Sequence, residues 1–125
     1  MQAAFLAGAD RVELDVHPST DGVFVVFHDW TLDCRTNGTG VTRSHSLADL
    51  KALDIGYGYS WDEGQSYPFR GKFIEAMPTL AEVLDAFPNR SFDINIKSRS
   101  PSEACLLYTS PSPRDRTRSR MPSSA

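Results

Sequence analysis

Residues 11–29, RVELDVHPSTDGVFVVFHD, decide how this chain reads. Apolar Val12, Leu14 and Val16 alternate with polar Glu13, Asp15 and His17, the period of two expected of a strand with unlike faces. Asp21-Gly22 supplies a turn, and residues 23–27 are a continuous β-branched and aromatic run that reads as a buried strand. A hairpin is the expected local form. His28 and Asp29 follow at once, at the end of the buried strand, where α/β proteins place their sites.

Outward from this hairpin the elements alternate. Residues 2–7 form a helical stretch stopped by Gly8, a residue for which a left-handed cap is cheap. Residues 36–40, TNGTG, are a loop by composition. Ser46, with Asp49 three residues on, then opens a helix carrying Leu47, Leu50 and Leu53 that ends by Gly56. Residues 57–76 mix three glycines with Tyr57, Tyr59, Trp61, Tyr67, Phe69 and Phe73 without a clean period, which reads as a structured surface loop. Thr79 caps a further helix, with Glu82 reaching back and Val83, Leu84 and Phe87 as its apolar stripe. Residues 92–97 follow as a strand. Strands separated by helices in this order predict an α/β fold whose helices cover a parallel sheet.

The chain of 125 residues is 40% hydrophobic and 10% aromatic, enough for one globular domain and too apolar for intrinsic disorder. No apolar run approaches the roughly 18 residues that span a bilayer, so no transmembrane segment is expected. The first residues lack the basic-then-apolar order of a secretory leader, which favours the cytoplasm. Two cysteines, Cys34 and Cys105, make neither a multi-bridge framework nor a four-thiolate zinc site. The net charge of −3 is unevenly spread: residues 1–104 carry 9 Lys and Arg against 15 Asp and Glu, whereas residues 105–125 carry four arginines against Asp115. An acidic body disfavours nucleic acid as a partner. The basic segment 105–125 is rich in Ser, Pro and Arg and follows neither structural period, so it is expected to be disordered. Its stretch 105–115 resembles a translated sequencing adapter, so the segment is expected to be non-native, with residues 1–104 as a partial domain; a basic arm that binds an acidic partner is the other reading.

Glu13 and Asp15 project from one face of their strand with their oxygens a few ångströms apart. Close carboxylates raise a pKa unless a hard divalent cation holds both ionised. A solvated polar face is the other reading, and the pair alone leaves both open. His28 is a natural acid or base near neutral pH, or else a surface histidine beginning a turn. His17 shares the face of Glu13 and Asp15, yet Pro18 follows it and a structural or supporting role is expected. The aromatic residues Tyr57, Tyr59, Trp61 and Tyr67 are expected to anchor their loop.

Six motifs recur in order: GADRVELDV (8–16), TDGVFVVFHDWTL (20–32), RTNGTG (35–40), LADLKALDIG (47–56), PTLAEVLDAF (78–87) and NIK (95–97). Together they resemble the glycerophosphodiester phosphodiesterases over residues 3–98. The resemblance implies a (β/α)8 TIM barrel of the phosphatidylinositol-phosphodiesterase-like type. Such barrels run to about 250 residues, so the chain is expected to be a partial barrel and an internal fragment. The resemblance also implies that Glu13 and Asp15 are metal ligands and that His28 is one of two catalytic histidines. Lys97 is implied to hold a substrate phosphate oxygen. Asn95 stands at the third metal position, where the family usually carries Glu. Its carbonyl suits Mg2+ or Ca2+ but brings no charge, so weaker affinity is expected, with Asp93 on the same face to compensate through water. The family's His-Arg-Gly strand, bearing the other histidine, precedes the helix of residues 2–7 and is absent from the sequence.

The implied activity is metal-dependent hydrolysis of a small-molecule glycerophosphodiester to glycerol 3-phosphate and an alcohol, a step of lipid and glycerol metabolism. With half of the acid/base pair missing, this chain by itself is expected to be inactive. The alternative, favoured by Asn95 and the absent histidine, is a non-catalytic phosphate-binding or interaction module derived from the same barrel.

Overall fold

The alternating stretch forms strand β1 (Arg11–Pro18) in the computed structural model, which describes residues 2–98 and 118–120. It follows α1 (Gln2–Leu6), and Gly8 takes the left-handed conformation at φ +102°. Strand β2 (Phe24–Val26) runs back antiparallel to β1, with Val16 opposite Val26 and Pro18 opposite Phe24. The turn between them is held locally: the Ser19 amide donates to the Val23 carbonyl at 2.9 Å, and Ser19 Oγ accepts from the Val23 amide at 3.0 Å. The hairpin is as expected, although β2 is shorter than the apolar run. Phe27 nonetheless continues the ladder, its amide donating to the Asp15 carbonyl at 3.1 Å.

After a 3-10 turn (Thr42–Ser44) come α2 (Leu47–Lys51), α3 (Leu80–Ala86) and β3 (Ser91–Ile96). Both helices begin where side-chain caps satisfy their first amides. Ser46 accepts from the Asp49 amide, and Thr79 with Glu82 forms a reciprocal capping box. Lys51 Nζ donates to Glu82 Oε1 and ties α2 to α3. Strand β3 pairs parallel with β1, placing Glu13 opposite Asp93 and Asp15 opposite Asn95. Alternation then divides the sheet. Leu14, Val16, Phe92 and Ile94 face the core they share with Phe5, Phe24, Leu80, Val83 and Leu84, while Glu13, Asp15 and Asn95 occupy alternate positions. A second cluster, Val25, Phe27, Leu32, Leu50 and Met77, packs the segment after β2 against the hairpin.

Residues 57–76 contain no helix or strand, in keeping with the loop reading. Buried Asp54 organises them, accepting from the amides of Gly56 and Gly71. Aromatic anchoring holds only in part. Tyr57 and Tyr67 sandwich the Arg70 guanidinium, each ring centroid 3.8 Å away, but Trp61 is 75% exposed and Tyr59 is also exposed. Polar hydrogen bonds hold the tip instead, where Ser60 and Ser66 bond to Asp62.

Part of the segment expected to be disordered takes regular form. Strand β4 (Arg118–Arg120) pairs parallel with β3 and completes the sheet order β2-β1-β3-β4. Backbone pairing at a sheet edge needs no apolar period in the added strand, which is why composition does not announce it. The other residues of 105–125 lie outside the described residues. Among the described residues no helix is long and apolar enough to cross a membrane.

Phe92 is fully buried and stacks edge-on against Phe5 and Phe87. Phe92→Ala is expected to cost about 3–5 kcal/mol and Thr79→Ala about 1 kcal/mol, read as shifts of the urea midpoint. Equal costs would contradict a core centred on Phe92.

Candidate active site

Glu13 and Asp15 reach the cavity because they occupy alternate positions of β1, and His28 reaches it because β2 ends two residues earlier, at Val26 opposite Val16. The cavity has a volume of about 330 Å³. Its polar lining is Glu13, Asp15, His28 and Arg35, and Leu14, Val26, Phe27 and Ile55 supply the apolar part.

Asp15 is held from β3. Asn95 Nδ2 donates to Asp15 Oδ1 at 2.8 Å, and Lys97 Nζ lies 3.6 Å from the same oxygen. Asn95 and Lys97 are thus gathered behind Asp15 rather than in the cavity lining. Asp93, expected to assist Asn95, instead faces Arg11 at 3.7 Å.

His28 is oriented by its neighbour. Its Nδ1 donates to Asp29 Oδ1 at 2.7 Å, which turns Nε2 away from that carboxylate. The other oxygen, Oδ2, accepts from Arg35 Nε at 3.0 Å. Burial would push the Asp29 carboxyl up, but the His28 hydrogen bond and the Arg35 guanidinium outweigh it and hold the group below its ordinary 3.8. The Asp29 carbonyl accepts from Thr42 Oγ1 at 2.8 Å.

His17 is fully buried and fills the supporting role expected of it. Its Nε2 donates to the His28 carbonyl at 3.4 Å, its Nδ1 accepts from Arg43 Nη2 at 2.9 Å, and its ring packs edge-on against Trp30. The Arg43 guanidinium covers the same indole at 4.4 Å. The residue that sequence reasoning passed over is Arg35. It stood inside the quoted RTNGTG motif, and the available signal was a guanidinium in a polar loop directly after a His-Asp pair.

A divalent cation would require hard oxygen donors. Glu13, Asp15 and the side-chain carbonyl of Asn95 are donors of that kind, and the β1–β3 register sets them close together. Among the described residues no three of His, Cys, Asp and Glu gather as a metal cluster.

Comparison with known proteins points one way. The family model described as "Glycerophosphoryl diester phosphodiesterase family" matches residues 1–114. A glycerophosphodiester phosphodiesterase of Bacillus subtilis is 42% identical over 96 residues, covering 74% of this chain and 31% of that relative. Among solved structures, the glycerophosphoryl diester phosphodiesterase domain of an uncharacterized Mycobacterium tuberculosis protein superposes with a TM-score of 0.75 at 24% identity. That match covers 95% of this chain and 44% of that one, and it bears on the fold. A phosphodiesterase of Oleispira antarctica, solved in complex with the product sn-glycerol-3-phosphate, gives a TM-score of 0.67 at 25% identity over 95% of this chain and 48% of that one. The chain therefore spans about a third of the curated relative and under half of these solved chains. Its α/β layout is that of part of a TIM-barrel-like domain.

Asp29 carries a pH signature. A carboxylate with a depressed pKa contributes stability that is complete above its unfolded value of 3.8 and is lost as pH falls through the lower folded value. The difference in thermal midpoint between the native chain and Asp29→Asn is therefore expected to shrink as pH falls below 3.8 through the lower folded value. A difference that stays unchanged well below pH 3.8 would contradict the pairing.

Proposed function

Because the chain belongs to the glycerophosphoryl diester phosphodiesterase family, we propose that its cavity is part of a site that hydrolyses glycerophosphodiesters to glycerol 3-phosphate and an alcohol. The supporting observation is the meeting of Glu13, Asp15 and the Asp29-bound His28 around one cavity of about 330 Å³. Asp29 fixes the proton on His28 Nδ1, so Nε2 takes a proton from the attacking oxygen or returns one to the departing alkoxide. The Asp29 carboxylate also stabilises the imidazolium that forms between these transfers. A divalent cation, Mg2+ or Ca2+, held by Glu13, Asp15 and Asn95, supplies Lewis-acid polarisation of the phosphoryl oxygens when bound. Lys97 balances the charge of Asp15 and adds positive potential for the phosphate. In this reading the complete barrel is of the phosphatidylinositol-phosphodiesterase-like type, and residues 1–125 by themselves, without the second acid/base histidine of the family's His-Arg-Gly strand, are inactive.

A second reading is a phosphate-binding module without turnover. The observation favouring it is Asp15, which is satisfied by the Asn95 amide and the Lys97 ammonium from within the chain.

The two readings separate when residues 3–98 replace the matching segment of a full-length glycerophosphodiester phosphodiesterase. His28→Ala in that enzyme is expected to lower kcat by about 10² to 10⁴. Turnover that is indifferent to His28 would remove the hydrolase reading and leave the binding module.

A further inference from the structure

We propose that Arg35 is the phosphate-binding residue of this cavity, presenting its guanidinium to the non-bridging oxygens of a phosphate ester. The inference rests on the hydrolase reading for its substrate but not for its geometry. Arg35 lines the cavity together with Glu13, Asp15 and His28, and its side chain is 60% exposed. Lys97, the other cation nearby, has a side chain only 16% exposed and sits against Asp15. An anion entering the cavity therefore meets the guanidinium first.

Three features set Arg35 in place. Its Nε donates to Asp29 Oδ2, so one donor orients the planar group and the two amino nitrogens are what it offers to an O–P–O edge. Its carbonyl accepts from the Gly58 amide at 3.2 Å. Gly58 itself has no room for a side chain: a Cβ there would collide with the Cys34 carbonyl and come within 2.9 Å of Arg35 Cα. On the far side, buried Thr36 is anchored through Oγ1 to the Leu32 carbonyl at 2.8 Å. The backbone is pinned while the charged end reaches the cavity, the arrangement that spares a binding group its ordering cost.

Asp29 adds a spatial consequence. One carboxylate holds His28 on Oδ1 and Arg35 on Oδ2, so a phosphate bound to the guanidinium is delivered beside the imidazole.

The test titrates inorganic phosphate into the full 125-residue chain by calorimetry, with circular dichroism as the fold control. Arg35→Met is expected to weaken phosphate binding about tenfold or more. Arg35→Lys keeps the charge but loses the two-donor edge, and is expected to lose several-fold. Gly58→Ala retains the guanidinium yet displaces its backbone, and is expected to weaken binding at an unaltered Arg35. Equal affinity in the native chain and both Arg35 variants overturns the inference, as does a native chain that binds no phosphate. Either result leaves the acid/base reading to the His28 measurement in the grafted enzyme. Conversely, turnover indifferent to His28 leaves an Arg35-dependent phosphate affinity standing by itself.

Discussion

The parallel register of β1 and β3 is the constraint on which the site depends. With Leu14 opposite Ile94 and Val16 opposite Ile96, the apolar residues of both strands point into the core against α1 and α3. The same register sets Asp15 opposite Asn95, and the amide bonds to the carboxylate. A slip of one residue on either strand would send its apolar set to the cavity side and its polar set into the core. Burial of Phe92 and Ile94 therefore fixes the polar pair as firmly as any contact between the polar groups does.

What the sheet cannot supply comes from the segment just beyond β2, and there Asp29 is the hub. Its carboxylate joins an imidazole to a guanidinium, and its own carbonyl is tied to Thr42. His17, rooted in β1, clamps the preceding carbonyl and is itself held by Arg43 and the Trp30 ring. Loops carry functional groups because their chemistry is free to vary, but a group used in catalysis must be held to within a fraction of an ångström. Here the loop is held by its own carboxylate, Asp29, and by one side chain of the rigid strand, His17, reaching into it.

Local physics made much of this legible. Ser46 and Thr79 announce their helices because capping is a contest among neighbours three residues apart, and the hairpin follows from alternation plus an Asp-Gly turn. Glu13, Asp15 and His28 were visible as chemistry on a strand face and at a strand end. Less legible was everything set by contacts distant in sequence. The closeness of Lys97 to Asp15, 82 positions earlier in the chain, becomes visible only through the parallel pairing. Arg35 looks like any loop arginine until Asp29 and Gly58 are seen to fix it. Strand β4 had no signal at all, since edge pairing is a backbone interaction.

Asn95 shows how the strand pairing and the chemistry draw on the same position. A carboxylate at 95 would meet Asp15 with no proton to share, and the two like charges would oppose the β1–β3 register unless a cation lay between them. The amide removes that opposition by donating to Asp15, and Lys97 completes the compensation from the end of the same strand. Pairing of these strands consequently makes no demand for a metal ion. A cation placed between Glu13 and Asp15 would in turn find one anionic ligand fewer with an amide at 95 than with a carboxylate there.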